Sequence, residues 1–352
     1  MKILQKYVTV NLVTVTLIAL FGLVSLFSFF TAIDELADTG RGSYTVTEAL
    51  LYVLLTTPKL AYELFPIAAV IGSMVTLGML ARNSELVVIR TAGVSRPELA
   101  LVMAKGSLIL IIMAVIIGEF IAPICEETAQ QRRSMDMTEQ ISLKTRNGYW
   151  ARDGDSFINI RKVLPGNHVE DVFIYEFDRN NNLRSSIHAS DASYEKKGWI
   201  LNDIVQTSIS DKRISIEKFK HAEWPSLLDP EMINFVTVKP EFMTFFGLLK
   251  YISYLKHNDQ ETAPYVQALW KKIIKPFSIC AMVLLALLMV RSESRFTLVG
   301  QRIFLGSLVG IIFYICDQVS GHMGIVYNIN PVISVTAPTL ILMTLVLFLL
   351  RR

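Results

Sequence analysis

Long apolar runs separated by short polar stretches dominate the hydrophobic pattern of the chain. A helix needs about 20 mainly apolar residues to cross a bilayer, and six runs are long enough: 7–33, 60–80, 99–124, 273–290, 303–319 and 332–350. The first run is too long for the apolar core of a signal peptide, and no small-residue cleavage site follows it. The pattern therefore predicts six transmembrane helices.

Composition supports a polytopic membrane protein. Hydrophobic residues make up 52% of the chain, which is more than an ordinary soluble domain contains. The net charge of +3 is small and gives no indication of a nucleic-acid partner. The three cysteines, Cys125, Cys280 and Cys316, lack metal-ligand spacing and are predicted to be small buried hydrophobes.

The distribution of basic residues predicts the orientation of the spans. Ten of them lie before span 1, between spans 2 and 3, between spans 4 and 5, and after span 6. The opposite short loops, 34–47 and 320–331, contain Arg41 as their single Lys or Arg. Because basic residues concentrate in cytoplasmic loops, both termini and segment 81–100 are predicted to be cytoplasmic, with residues 125–270 outside.

The outside segment has a different pattern. Between residues 148 and 224, short runs of strand-forming residues recur at regular intervals, divided by Gly, Asn, Asp and Pro. The runs are GYWARDG, SFINIRKV, VEDVFIYEF, LRSSIHASDASY, WILNDIVQTSI and RISIEKFKHAEW. This spacing indicates an antiparallel sandwich or barrel.

One of these strands is apolar on both faces, because Phe173, Tyr175 and Phe177 alternate with Val172 and Ile174. Such a strand is either buried between two sheets, or it uses one face to line a groove for an apolar ligand. Periodicity alone leaves both interpretations open.

Segment 81–100, ARNSELVVIRTAGVSRPELA, carries the signals of a short helix between spans 2 and 3. Asn83 or Ser84 can cap its start, and Glu85 in the first turn suits the positive end of the helix dipole. Gly93 is placed to end the helix. The segment therefore predicts a helix of its own at the cytoplasmic face.

The run Leu86 to Ile89 makes this helix too apolar for a free cytoplasmic loop. One interpretation is an elbow that lies on the lipid headgroups. The other is a coupling helix that inserts into a groove on a partner, where the apolar side gives affinity and Glu85 and Arg90 give orientation.

The sequence contains no motif for binding and hydrolysing a nucleotide. It contains no GxxxxGK[ST] phosphate-binding loop, and its exposed parts show no Ser/His/Asp, Cys/His or metal-ligand constellation. An energy source on a separate partner fits the coupling helix. The alternative is a membrane-embedded enzyme acting on envelope lipids, which would require buried polar residues such as Glu119 and Asp317 to be catalytic.

Basic residues also occur at the outer ends of spans, where the orientation rule makes them uncommon. They are Lys59, Arg132, Arg133, Lys271, Lys272 and Lys275. One interpretation is that they anchor the helix ends and pair with Glu63, Glu126 and Glu127. The other is a ring of cations that binds a phosphorylated lipid, each contributing about 1 kcal/mol. Asp317 and Glu119 either bond between helices or line a cavity.

Six stretches carry a resemblance to a known family: GSYTVTEALLYVLLTTPK, LFPIAAVIGSMVTLGMLARNSELVVIRTAGVSR, GEFIAP, GYWARDGDSFINI, YLKHNDQETAPYVQALWKKIIKPFS and FYICDQVSG. With these motifs the chain resembles the permeases of the lipopolysaccharide export ABC transporter, more closely the G-type than the F-type subunit. The resemblance covers nearly the full length, and SELVVIRTAG is its most specific block.

The resemblance implies a membrane α-helical bundle of six transmembrane helices with an inserted periplasmic all-β jelly-roll domain. Residues 1–135 would hold spans 1–3 and a coupling helix at about 84–92. Residues 136–240 would form the jelly roll, and 241–352 a periplasmic connector with spans 4–6. The protein would lie in the inner membrane of a Gram-negative bacterium.

The implied function is to extract lipopolysaccharide from the outer leaflet of the inner membrane and pass it to a periplasmic bridge. The implied partners are an F-type permease, a cytoplasmic ATPase dimer and a single-span bridge protein with a jelly-roll domain. The chain itself is expected to bind no cofactor and catalyse no reaction, since ATP and Mg²⁺ bind to the ATPase. Export of a different lipidic cargo, such as a lipoprotein, is the alternative.

The resemblance also implies roles for individual residues. The coupling helix would contact the ATPase groove through Ser84, Glu85, Leu86, Ile89, Arg90 and Gly93. Lipopolysaccharide is expected to contact Lys59, Arg132, Arg133, Lys271, Lys272, Lys275, Arg41 and Asp317. Of these, Lys59 and Arg133 match family cations that touch lipid A phosphates or inner-core sugars. The stretch DELADTGRG holds only Arg41 where some members have several lysines.

Overall fold

A computed structural model of the chain describes residues 2–351 except 138–148, 155, 165–167, 179–181, 196–197, 211–212, 225–239, 259, 291–298 and 328. The helices are α1 Lys2–Ala37, α2 Val46–Arg82, α3 Glu85–Thr91, α4 Arg96–Ile116, α5 Ala122–Met137, α6 Phe245–His257, α7 Ala263–Met289, α8 Val299–Val326 and α9 Pro331–Arg351. The strands are β1 Tyr149–Asp153, β2 Ser156–Leu164, β3 His168–Phe177, β4 Leu183–Glu195, β5 Gly198–Ser210 and β6 Arg213–Trp224. A π-helical turn, Ile117–Ile121, joins α4 to α5, and a 3₁₀ turn, Pro240–Phe242, precedes α6.

Six helices are long and apolar enough to cross a membrane, which confirms the predicted six-span bundle. Two of them begin much earlier than their apolar runs indicate, because α2 starts at Val46 and α7 at Ala263. Lys59 and the three lysines of 271–275 therefore lie within helices that continue beyond the apolar runs. Polar side chains that face a cavity interrupt an apolar run without ending the helix. Arg291 and Arg295, used for the orientation, lie outside the described residues.

α2 is the central helix of the bundle. In its most apolar window, 89% of the residues are buried inside the chain, compared with 22% in α1 and 11% in α8. Small residues such as Ala68 and Gly72 let neighbouring helices approach closely, and a methyl group at Gly72 would collide with the backbone of Thr16 on α1. The apolar outer sides of α1 and α8 remain exposed to lipid or to another protein.

Pro123 explains the π-helical turn between α4 and α5. Its ring would clash with the carbonyl of Glu119, four residues earlier, and it has no N–H to continue the helix. The Ala122 N–H bonds instead to the Ile117 carbonyl, five residues back. The neighbouring Gly118 is needed for packing, because a Cβ at this position would collide with the ring of Tyr62 on α2.

The six predicted strands are all present, and they form one antiparallel sheet in the order β1-β2-β3-β4-β5-β6. The prediction of a helical bundle with an inserted all-β domain is confirmed. The jelly-roll arrangement itself stays a prediction, since the described strands follow one another as a meander. β1 and β6 are the outer strands of this sheet, and Ile214 and Ile216 on β6 are 69% and 65% exposed.

A helix covers one face of the sheet. Ile158, Ile174 and Leu201 are buried on this face, in the same apolar cluster as Leu248 and Leu255 of α6. The first interpretation of β3 is wrong in the described structure, because a helix and not a second sheet covers the Val172 and Ile174 face. The second interpretation, an apolar face for a ligand, stays a prediction for the side that carries Phe173 and Tyr175.

The opposite face of the sheet carries half-exposed aromatic rings. Tyr175 stacks on Trp150 with ring centroids 5.8 Å apart, and Phe173 stacks on His188 at 4.4 Å. Cross-strand aromatic pairs of this kind stabilise a sheet while leaving an apolar surface. This face is the part of the domain that a lipid chain could contact.

Hydrogen bonds fix the end of α6 to β1 and to the turn that follows it. The Tyr254 hydroxyl donates to the Arg152 carbonyl at 2.6 Å, and the Gly154 N–H donates to Asn258 Oδ1 at 3.0 Å. Burial raises the pKa of Tyr254 to about 12. The phenol therefore stays protonated and keeps donating throughout the physiological pH range.

Leu248→Ala tests the packing of α6 on the sheet. Leu248 is fully buried, whereas the neighbouring Leu249 is 44% exposed. We expect Leu248→Ala to lower the free energy of unfolding of the β domain by about 2–5 kcal/mol, the usual cost of emptying a core leucine site. Amide exchange of β3 and β5 measures the effect. Leu249→Ala is the control, and equal effects of the two substitutions would contradict the packing.

Candidate functional site

A cavity of about 220 Å³ lies between α2, α5, α7 and α8, beside the 3₁₀ turn that precedes α6. Pro66, Ile67 and Phe313 form apolar parts of its wall, while lysine and carboxylate side chains converge on it from several helices. Apolar walls with a few convergent polar groups are typical of ligand sites. The volume suits a small polar group.

Five of the eight predicted lipid-binding residues line this cavity: Lys59, Lys271, Lys272, Lys275 and Asp317. They belong to α2, α7 and α8, so the fold brings together residues that are far apart in the chain. Arg41, Arg132 and Arg133 lie elsewhere.

Lys59 is paired with carboxylates in the cavity. Its Nζ lies 3.9 Å from Glu126 and 4.0 Å from Glu63, and 3.9 Å from the centroid of the Phe242 ring. This is the pairing that the anchoring interpretation predicts. Glu127, the third predicted partner, instead accepts a hydrogen bond from the nearby Gln131.

Lys271 and Lys275 make their described hydrogen bonds to uncharged groups. Lys271 Nζ donates to Gln318 at 3.3 Å, and Lys275 Nζ donates to the backbone carbonyl of Glu63 at 3.2 Å. Lys275 also lies 5.0 Å from the centroid of the Tyr62 ring. These two cations can therefore turn to an incoming anion without breaking a direct ion pair.

Lys272 forms the shortest described ion pair of the region. Its Nζ lies 2.6 Å from Glu119 Oε1, and the two side chains are only 10% and 22% exposed. An ion pair this sheltered is weakly screened by salt, and removing one partner leaves the other charge poorly solvated.

Arg133 belongs to a second polar group beyond the cavity. Its Nε donates to Glu35 and its Nη2 to Asp38, each at 3.0 Å. The buried Tyr44 hydroxyl donates to the same Glu35 carboxylate, and burial together with this bond raises the pKa of Tyr44. The charge of Arg133 is thus compensated by Glu35 at the end of α1 and by Asp38 just after it.

The other two predicted arginines lie near this group and are exposed. Arg41 forms an ion pair with Asp38 at 2.8 Å, with its side chain 71% exposed. Arg132 lines a narrow recess next to Arg133. Exposed pairs contribute little to stability, so both arginines remain accessible to a ligand.

Hydrogen bonds connect the two polar groups. Gln130 donates to Glu126 at 2.9 Å and to the Tyr52 hydroxyl at 3.0 Å, and the Arg133 guanidinium lies 5.3 Å from the Tyr52 ring. Glu126 is 3% exposed, and its Oε2 has no hydrogen-bond partner among the described residues. This oxygen is an acceptor that a ligand hydroxyl or amine could use.

Sequence reasoning missed several residues of the site, namely Glu35, Tyr44, Tyr52, Tyr62, Gln130 and Phe242. The aromatic ones lie in apolar runs or beside them, where the pattern gives no reason to separate them from core residues. In the part of the chain that the structure describes, no group of three or more His, Cys, Asp or Glu side chains is arranged to hold a metal ion.

The predicted helix of segment 81–100 is present as α3, at the opposite end of α2 from the cavity. Lys59 and Arg82 on α2 are separated by roughly 35 Å along the helix axis. Ser84 adopts a left-handed φ of 61° and makes no side-chain capping bond, so the predicted cap by this residue is wrong. Gly93, with a φ of +90°, ends the helix as predicted.

Some apolar residues of α3 are buried against the rest of the chain, and one is exposed. Leu86 and Ile89 are 1% and 9% exposed, because they pack against the rest of the chain. Val88 is 64% exposed, and Glu85 and Arg90 are half-buried beside it. Leu86 and Ile89 therefore hold α3 to its own bundle, and Val88 is the large apolar side chain that α3 presents outward.

Comparison with known proteins identifies the family. The family model described as lipopolysaccharide export system permease LptF/LptG matches residues 6–352. The chain belongs to this permease family. It is 33% identical over 353 residues to the lipopolysaccharide export system permease protein LptG of Escherichia coli K12, covering 99% of this chain and 98% of that protein. It is 31% identical over 351 residues to the protein of the same name from Haemophilus influenzae, with the same coverage.

The permease family accounts for the main features of the chain. A multi-pass bundle with an inserted β domain and the G-type resemblance are confirmed. Membership of LptF/LptG makes the chain a permease subunit of a lipopolysaccharide export system. The roles of individual residues in this permease stay predictions.

Proposed function

We propose that this permease extracts lipopolysaccharide from the outer leaflet of the inner membrane and passes it to a periplasmic bridge. The observation that carries the proposal is the lysine-lined cavity beside α6, the helix that covers the β-sheet. Headgroup capture and acyl-chain transfer would then occur next to each other. The coupling segment α3 lies at the far end of α2, where a motor could act.

Orientation follows from the basic residues. Lys and Arg concentrate at the end of the bundle that holds α3 and both termini. We infer that this end is cytoplasmic and that the cavity and the β domain face the periplasm. The cavity then lies at the depth of the outer-leaflet headgroups.

The motor is a separate protein in this proposal. A cytoplasmic ATPase dimer would bind ATP and Mg²⁺ and act on α3, and an F-type permease would complete the transport path. A single-span bridge protein with its own jelly-roll domain would receive the lipid. The exposed apolar sides of α1 and α8 are available for such membrane partners.

α3 is suited to transmit force because it is attached to the bundle and still offers a contact. Leu86 and Ile89 anchor it internally, while Val88, Glu85 and Arg90 would meet the groove of the ATPase. A rigid attachment means that a displacement of α3 moves the adjoining ends of α2 and α4. This favours the coupling helix over an elbow resting on headgroups.

The energetics require both a motor and an apolar path. Burying an acyl chain contributes about 0.8 kcal/mol per CH₂, so moving a lipid with several chains into water would cost many tens of kcal/mol. The half-exposed aromatic face of the sheet would lower this cost by receiving the chains. ATP-driven closure of the cavity would give the movement its direction.

A pull-down from native membranes in mild detergent tests the proposal, with mass spectrometry of proteins and lipids in the eluate. We expect an ATPase, a second six-span permease and a phosphorylated lipid A species. An eluate without an ATPase would contradict the coupling helix. A lipoprotein in place of lipopolysaccharide would favour the other cargo, and turnover of a lipid by the purified chain alone would favour an enzyme.

A further inference from the structure

The π-helical turn leaves one backbone acceptor without a helical partner. Ala122 bonds to Ile117, and the residue five positions after Gly118 is Pro123, which has no N–H. Lys272 Nζ supplies the missing donor, at 3.2 Å from the Gly118 carbonyl and 2.6 Å from Glu119. A lysine of the cavity thus holds the irregular turn in place. π-turns occur frequently at functional sites.

Glu119 connects this turn to a different part of the molecule. Its second oxygen, Oε2, accepts a hydrogen bond from the backbone N–H of Phe245 at 2.8 Å. Phe245 is the first residue of α6, whose opening N–H groups have no partners within the helix. A carboxylate is favoured at this positive end of the helix dipole.

α6 is the helix that covers the β-sheet, and its end is hydrogen-bonded to β1 and to the turn that follows it. Glu119 therefore forms a direct link between the membrane bundle and the unit made of α6 and the sheet. One carboxylate serves two partners, since Oε1 faces the cavity lysine and Oε2 faces α6.

We infer that Lys272 and Glu119 form a relay by which an anionic headgroup in the cavity loosens the start of α6 and so frees the β domain to move. Lys272 lines the cavity, so the phosphate of a bound lipid competes with Glu119 for the same ammonium group. The inference rests on the proposed function, because it takes a phosphorylated lipid as the ligand.

The relay has two states. In the geometry described above, Lys272 holds both the Gly118 carbonyl and Glu119, and Glu119 holds Phe245. In the occupied cavity, Lys272 turns to the phosphate, and Glu119 loses the cation that fixes its position. The bond to Phe245 then weakens. Capture of the headgroup thereby permits the β domain to shift toward the acyl chains.

Amide exchange at the start of α6 reports the state of the relay. The complete transporter in nanodiscs is measured alone, with lipopolysaccharide, and with dephosphorylated lipopolysaccharide. We expect lipopolysaccharide to accelerate exchange in a peptide that includes Phe245 at least threefold, and the dephosphorylated lipid to leave it unchanged. Lipid bound to each sample is quantified in parallel.

Two variants test the two bonds of the relay. Lys272→Gln removes the cation that fixes Glu119, so exchange at Phe245 should be fast without lipid and should no longer respond to lipid. Glu119→Ala removes the bond, so exchange should be fast with and without lipid. Glu119→Gln is the milder variant if the alanine variant does not assemble, and it should still abolish the response. Glu127→Gln, an exposed carboxylate nearby, should behave as the wild type.

The outcomes distinguish the relay from the function it rests on. If lipopolysaccharide binds and exchange at Phe245 does not change, or if Lys272→Gln responds as the wild type does, the relay is wrong and the proposed function stands. If no lipopolysaccharide binds to the wild-type complex, the proposed function is wrong, and the relay loses its ligand.

Discussion

Glu85→Lys is expected to lower lipopolysaccharide release from reconstituted vesicles at least tenfold while leaving the permease in the membrane. The substitution replaces a carboxylate at the positive end of α3 with a cation, which removes a favourable dipole interaction of about 0.3–1 kcal/mol and adds an unfavourable one. It also reverses the charge beside Val88, the exposed apolar contact. A tenfold loss corresponds to about 1.4 kcal/mol of coupling.

The comparison for Glu85→Lys is Glu127→Lys, a reversal of an exposed carboxylate at the other end of the bundle. ATP hydrolysis and lipid release are measured on the same vesicles. Hydrolysis that continues while release falls would show uncoupling. Normal release by Glu85→Lys would contradict the role proposed for α3.

Neutralising Lys59 and Lys271 together is expected to reduce lipopolysaccharide retained by the purified complex roughly thirtyfold. Each cation near an anionic headgroup contributes about 1 kcal/mol, so removing two costs roughly 2 kcal/mol of binding. Glutamine is the better replacement, because a carboxylate at position 59 would face Glu63 and Glu126. Lipid phosphorus per complex is the measurement.

Two further variants sharpen this test. Glu126→Gln removes a partner of Lys59 and should increase lipid retention, opposite in sign to the lysine variants. Lys256→Gln removes an exposed lysine of α6 and should have no effect. Unchanged retention in Lys59→Gln with Lys271→Gln would assign these lysines to anchoring alone.

The β domain illustrates what a sequence determines locally. The six strands were predictable because alternation of apolar residues and the Gly, Asn and Asp turns act over a few positions. The packing of α6 on these strands was not predictable, because the α6 sequence does not indicate which surface the helix contacts. Leu248 and Leu255 meet β-sheet residues that lie many positions earlier.

The side-chain contacts in the cavity could be predicted from the sequence only in part. The pairing of Lys59 with Glu63 could be predicted from their spacing of four residues on a helix. The pair of Lys272 with Glu119 joins positions 153 residues apart, and the bond of Arg133 to Glu35 joins positions 98 apart. Such contacts depend on how the helices pack. The sequence alone therefore does not show which of these cations form ion pairs.

α3 shows how packing changes the meaning of a correct prediction. Its position and its glycine end follow from local signals. The same apolar residues that indicate a partner contact, Leu86 and Ile89, are used internally. The sequence reports that an apolar side exists and leaves open which protein covers it.

β6 has a consequence for how the protein must be produced. It closes the described sheet with a 12-residue edge, and within the described residues no strand pairs with its outer side. Such an edge can pair with any extended chain that reaches it, including β6 of another copy. Copies of the chain made without a partner to cover this edge are therefore expected to associate with one another through β6.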